Sequence, residues 1–219
     1  MAHYYYKKYP YLNYDYRDAN GATWTMFSIP PEMLVAAFIE KIGCPPKSFF
    51  DCGAATGEIV WRAMKIGLKA NGIDIKQYPY QNPLLKSLFN GGHIKIKSIM
   101  DCEPIKSDIA YCNGTLTYFS ENELPQVLNK FRDCKTLFAI HNTTEDVVAA
   151  NRKGDILSTC QALRLVRPQE WWMETFRKNN FIPEYNIKLQ CFMAIPIKQQ
   201  QMELQLSLNP GHRLRQNER

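Results

Sequence analysis

Beyond residue 47 the chain alternates between short apolar runs and segments whose apolar residues recur at helical spacing. The runs at 48–52, 68–75, 93–99, 107–112 and 135–141 predict strands. Between them, 58–66 and 83–89 predict helices, the first closed by Gly67 and the second by Asn90-Gly91-Gly92. Ser120-Glu121-Asn122-Glu123 has the spacing of a capping box and opens a helix expected to reach about residue 132, with Pro125 near its first turn. Arg167 to Lys178 predicts another helix, with Pro168 at its start and acids early, and strands near 181–188 and 190–197 follow. Strands that alternate with helices argue for a parallel sheet joined by right-handed crossovers.

Upstream, Pro31, Glu32 and a closing Gly43 bracket a helix whose apolar face is Leu34, Val35, Phe38, Ile39 and Ile42. A short linker from Thr25 leads into it. Residues 1–22 hold seven of the twelve tyrosines, interleaved with Lys7, Lys8 and Arg17. Aromatics among cations stack bases in single-strand binders. The plainer reading is an arm that is flexible or packs its rings on its own domain, since no RNA-recognition motif accompanies it. Residues 142–166 read as a turn at Asn142–Asp146 and weak helical periodicity from Val147 to Leu165. After Gln199, the alternation of Met202, Leu204, Leu206 and Leu208 suits an added strand, and the last ten residues are expected to be disordered. The chain therefore divides into an arm with the first helix (1–46), a core (47–198) and a basic tail (199–219).

Candidate chemistry gathers at Lys47–Glu58, Lys-Ser-Phe-Phe-Asp-Cys-Gly-Ala-Ala-Thr-Gly-Glu. Strand, glycine turn and helix start succeed one another, an arrangement that brings backbone close to a ligand. The glycines are spaced G-x-x-x-G rather than G-x-G-x-x-G, and Asp51 stands just before the first of them. A pyrophosphate is repelled by that acid, whereas a cationic amino-acid group is attracted.

The stretch Asp51 to Glu58 resembles the first motif of class I S-adenosylmethionine-dependent methyltransferases. Three further segments match in family order: Ala70-Asn71-Gly72-Ile73-Asp74-Ile75 is similar to the second strand, Met100-Asp101-Cys102 to the turn after the third, and Ser107 to Gly114 to the fourth strand and its exit. The resemblance spans roughly Lys47 to Lys198. It implies an α/β, Rossmann-like seven-stranded mixed sheet, mostly parallel with an antiparallel last strand, and helices on both faces. It implies S-adenosyl-L-methionine as cofactor: Asp51 near the methionine ammonium, Gly53, Ala54 and Gly57 letting backbone approach, Asp74 on the ribose hydroxyls with Ile75 beside it, Asp101 and Cys102 at the adenine, Asn113 and Gly114 near the methyl. Tyr118 and His141 are the candidate catalytic residues at the substrate mouth, with a merely structural strand-end histidine as the alternative. The exit of strand four has neither the N-P-P-Y nor the D-P-P-Y signature, and no Pro-Cys nucleophile is present. A small-molecule or saccharide-linked acceptor is therefore expected ahead of RNA. The competing expectation is a catalytically silent module that keeps the fold and binds a partner.

Bulk composition narrows this only a little. At 219 residues and 45% hydrophobic the chain suits one globular domain. No apolar run approaches a membrane span, and no apolar stretch follows the first residues as in a signal peptide. Seven cysteines without a C-x-x-C pair read as reduced thiols of a cytoplasmic protein, and no close-spaced ligand pair points to zinc. A net charge of +6 permits an anionic partner without requiring one. Acceptor and oligomeric state stay open.

Overall fold

The computed structural model describes residues 12–17, 23–75, 83–141, 143 and 165–198. The expectations for residues 1–11 and 18–22, most of the turn at 142–146, the 147–164 periodicity and the tail from 199 fall outside these residues.

The expected alternation is present. Strands β3 (Ser48–Cys52), β4 (Lys69–Asp74), β5 (Ile94–Ile96), β6 (Ile109–Asn113), β7 (Thr136–Ile140), β8 (Phe181–Asn186) and β9 (Cys191–Pro196) form one sheet in the order β5-β4-β3-β6-β7-β9-β8. Only β9 runs against the others, slotted between β7 and β8. Its short hairpin with β8 produces this reversal, because a tight turn joins antiparallel strands only. The strand order reverses between β3 and β6, so a crevice opens at their carboxyl ends, where open α/β sheets bind ligands.

Two cores cover the sheet. Helices α1 (Pro31–Ile42), α2 (Glu58–Lys65) and α3 (Pro83–Asn90) lie over Phe49, Tyr111 and Phe138. Helices α4 (Leu124–Asn129) and α5 (Gln169–Lys178) lie over Ala110, Cys112, Leu137 and Ala139. Side chains alternate along each strand, so Asp51, Tyr111 and Asp74 fall on the first face and Cys52, Cys112 and His141 on the second. Among the described residues no helix is long and apolar enough to cross a membrane.

Several elements depart from their sequence pattern. Leu12–Arg17 (β1) and Thr23–Ser28 (β2) pair antiparallel as a separate hairpin, where an arm and a linker are expected. The alternation Leu12-Asn13-Tyr14-Asp15-Tyr16-Arg17 is itself a strand pattern. The strand expected over 93–99 stops at Ile96, because the Ser98 hydroxyl accepts the Met100 N–H and starts a 3-10 turn over Ile99–Asp101. Only half of the capping box forms. Ser120 N–H donates to Glu123 Oε2 at 2.8 Å, but the Ser120 hydroxyl donates to the same oxygen instead of accepting from the backbone. The helix that follows ends at Asn129, short of the expected 132.

Candidate functional site

Asp51 ends β3 on the face under α1. It is 2% exposed. Burial, reinforced by the neighbouring Asp74 carboxylate, pushes its pKa up to about 8. A buried carboxylate is expensive to ionise unless a cation joins it.

Asp74 closes β4, one strand away, and is 6% exposed. Its Oδ2 accepts the Ala55 N–H at 2.8 Å, tying the glycine turn to the strand end. The same turn sends the Gly53 and Ala54 N–H groups to the Ile73 carbonyl, both at 2.9 Å. Ala55 is held at φ 47°, a left-handed conformation that non-glycine residues adopt at a cost. Directly after Asp74, Ile75 is 74% exposed, a large apolar side chain left at the rim of the crevice. Asp101 stands exposed at the end of the 3-10 turn, and Cys102 is half-buried with its thiol directed to the Ser98 carbonyl at 3.4 Å.

The glycines serve a purpose that their spacing does not reveal. Gly53 has φ 87°, and a Cβ there would stand 2.1 Å from Thr115 Oγ1. That hydroxyl donates to the Cys52 carbonyl at 2.7 Å, latching the exit of β6 onto the exit of β3. A Cβ on Gly57 would lie 2.4 Å from Ile94 Cδ1. In both cases the close approach is made by this chain's own side chains. Asn113 ends β6, and Gly114, at φ 72°, sends its N–H to the Ile140 carbonyl at 2.7 Å. The exits of β3, β4 and β6 are thus fastened together, and they bring Asp51, Gly53, Ala54, Asp74, Asn113 and Gly114 to one end of the sheet.

The two candidate catalytic residues sit apart. Tyr118 is 49% exposed on the 3-10 turn Thr115–Tyr118 that leaves β6. His141 follows β7 but lies on the other face of the sheet from Asp51, 6% exposed. Its ring is packed between Trp172 (centroids 3.9 Å apart) and Phe192 (4.6 Å), with Phe176 at 6.2 Å. Among the described residues neither ring nitrogen has a hydrogen-bond partner, and burial lowers its pKa to about 3. An open substrate mouth is not where this ring points. Its surroundings are an aromatic cage contributed by α5 and β9, which no local pattern around residue 141 announces.

Two residues at this end of the sheet were not singled out in the sequence. Thr115 makes the latch just described. Tyr111, the register partner of Asp51 in β6, shares a hydrogen bond with Ser28 Oγ at 2.8 Å and accepts the Ile29 N–H at 3.1 Å. A strand tyrosine in an apolar run carries no mark of such a partner 83 residues away.

No protein-family model matches the chain, and no curated protein matches it. Solved structures do. The chain is similar to 1,6-didemethyltoxoflavin-N1-methyltransferase of Burkholderia thailandensis, at TM-score 0.54 and 15% identity over 75% of this chain and 76% of that one. Magnesium protoporphyrin IX methyltransferase (ChlM) from Synechocystis PCC 6803 gives TM-score 0.54 at 13% identity over 76% and 81%. Both of those proteins were crystallised with S-adenosylhomocysteine. The small RNA methyltransferase HEN1 gives TM-score 0.54 at 13% identity over 76% of this chain and 25% of that one. The fold is that of the class I S-adenosylmethionine-dependent methyltransferases, the Rossmann-like mixed sheet expected from the sequence.

Proposed function

We propose that this protein is a cytoplasmic S-adenosylmethionine-dependent methyltransferase. The observation that carries the reading is the Asp51 carboxyl, buried beside a second acid, Asp74, at the switch point of the sheet. An amino-acid ammonium fits that position, since it supplies a balancing charge and hydrogen-bond donors. The rest of the group fits its neighbours. Asp74, at the adjoining strand end, presents a carboxylate suited to ribose hydroxyls, and Ile75 offers an apolar surface to a base. Asp101 and Cys102 stand at the next strand exit, within the reach of an adenine amino group in this reading.

When bound, the cofactor supplies an activated methyl that an aligned nucleophile takes in line. The chain's own part is to hold the amino-acid end against Asp51, to keep water away from it, and to align an acceptor beyond Asn113 and Gly114. Tyr118 lines the acceptor side. His141 shapes the end of β7; a ring with a pKa near 3 takes no proton at neutral pH. Little base catalysis is then available from this histidine, which suits an acceptor nucleophilic without proton removal. Acidic side chains at this edge (Asp74 and Asp101) disfavour a phosphate chain, so a small-molecule or saccharide-linked acceptor is preferred over RNA.

Calorimetric titration with S-adenosylmethionine, S-adenosylhomocysteine and NAD tests the reading. Binding of the first two without NAD is expected. Binding of NAD alone refutes it.

A further inference from the structure

Tyr111 stands beside Asp51 across the β3–β6 pairing, and both lie on the face covered by α1. Its hydroxyl is committed to the chain just ahead of that helix, through Ser28 Oγ at 2.8 Å and the Ile29 N–H at 3.1 Å. Helix α1 leads through a short turn into the start of β3, so it runs back along the sheet and its first residues lie toward the carboxyl edge. Ser28 and Ile29 are buried there, and the β1–β2 hairpin hangs directly from them. The three polar groups satisfy one another in a place where none has water to fall back on.

Resting on the cofactor reading above, we propose that Tyr111 is a positioning residue for the cofactor: by tethering Ser28 and Ile29 it holds the entry to α1 as the roof over Asp51 and keeps water from that carboxyl. The interaction of an ammonium with a carboxylate strengthens as water is excluded, because the effective dielectric falls. A roof fixed by two hydrogen bonds is present before the ligand arrives, so none of the binding energy is spent ordering it. Among the described residues, the groups that act electrostatically with Asp51 are Asp74 on β4 and Tyr111 and Cys112 on β6, none of them cationic. Solvent access, governed by the roof, is then what decides how strongly the carboxyl holds its proton. The role has no counterpart in the sequence motif, since Ser28 and Ile29 lie ahead of every segment that resembles the family.

Tyr111→Phe keeps the ring and removes the tether. The test compares wild type with Tyr111→Phe for S-adenosylhomocysteine affinity by calorimetry, and follows the Asp51 carboxyl by carbon-13 NMR titration of the apoprotein. With affinity measured above the wild-type Asp51 midpoint, where the carboxyl is ionised in both proteins, the expected results are about a tenfold loss of affinity and a downward move of that midpoint by one pH unit or more, with the circular dichroism spectrum native. A tyrosine that only fills the core would leave the midpoint where it is. Unchanged affinity and an unchanged midpoint in a folded variant overturn the proposal. If Tyr111→Phe does not fold, Ser28→Ala, which removes one of the two bonds, is measured in the same way and must move both quantities in the same direction. Should wild type itself fail to bind S-adenosylhomocysteine, the functional reading falls, while the NMR midpoint still decides whether the tether controls Asp51.

Discussion

Asp51 gives the sharpest quantitative consequence, because one carboxyl links proton binding, stability and ligand binding. Its pKa of about 8 lies far above the ordinary 3.8. At ~1.4 kcal/mol per tenfold in proton affinity, the ionised form destabilises the folded apoprotein by about 6 kcal/mol once the pH exceeds 8. The sign follows from the folded value being the higher one. The folded state carries no penalty from this group below pH 3.8, and stability is lost progressively as the pH rises from there through 8. At pH 7 the apoprotein carries Asp51 about nine-tenths protonated, so an ammonium that pairs with the ionised acid releases close to one proton on binding. Calorimetry of S-adenosylhomocysteine binding at pH 7, in two buffers of different ionisation enthalpy, reads that stoichiometry directly. Affinity should rise up to about tenfold per pH unit from 6 to 8 and level off above. Asp51→Asn should abolish the proton release, weaken binding, and raise the melting temperature of the apoprotein at pH 8 more than at pH 5. The variant also controls for protons lost by the ligand's own amine. A stoichiometry near zero together with a flat affinity between pH 6 and 8 would refute the reasoning.

Other sites give simpler tests. Asp74→Asn should lower S-adenosylhomocysteine affinity by about 1.5–3 kcal/mol for a charged hydrogen bond lost, with native circular dichroism; unchanged affinity would reduce Asp74 to the brace of Ala55. His141 has a folded pKa of about 3 against an ordinary 6.5, so the stability it contributes by staying neutral is present above pH 6.5 and is lost as the pH falls toward 3. His141→Phe should therefore raise the melting temperature at pH 5 relative to wild type by more than at pH 7.5, the difference corresponding to about 2 kcal/mol; an equal change at both pH values contradicts the cage. Gly53→Ala sets a methyl 2.1 Å from Thr115 Oγ1 and also strains φ, and should destabilise by several kcal/mol in urea unfolding. Adding Thr115→Ala should restore only part of that loss, because the backbone strain of about 1–3 kcal/mol remains.

The parts of the fold that were legible are those where local pattern and tertiary demand agree. β6 and β7 are buried on both faces and read as apolar runs, while β3 and β4 are each marked by a single acid close to its carboxyl end. Gly67 closes α2 and Gly43 closes α1, both at positive φ, as their positions suggested. What stayed hidden depends on partners far along the chain. Gly53 is fixed by Thr115, Gly57 by Ile94, and Tyr111 by Ser28, contacts that exist only once the strands are in register. His141 read as a base because it ends a strand near the crevice. Its neighbours Trp172 and Phe192 come from a helix and a strand much later in the chain, and they turn a titratable ring into a core aromatic. The β1–β2 hairpin was obscured by its tyrosines, whose number drew attention away from their alternation.

Three departures from ordinary folding rules meet at one edge of the sheet. Asp51 is an acid buried beside a second acid, Ala55 takes a left-handed backbone without being glycine, and Ile75 is a large apolar side chain left in water. All three lie at the carboxyl ends of two adjacent strands, β3 and β4, beside the crevice where the strand order reverses. Among the described residues, the other non-glycine positions at positive φ, Asn180 and Gln190, fall where chain reversals require them, after α5 and ahead of β9. A sequence tuned for stability alone would have removed the first three, each being replaceable by a residue that satisfies the local rule. A cationic ligand beside Asp51 and an apolar one over Ile75 would relieve two of them at once, and the strained Ala55 holds the turn between them in place through Asp74. Local inconsistency that a single ligand resolves is the mark of a binding site rather than of a poorly optimised core.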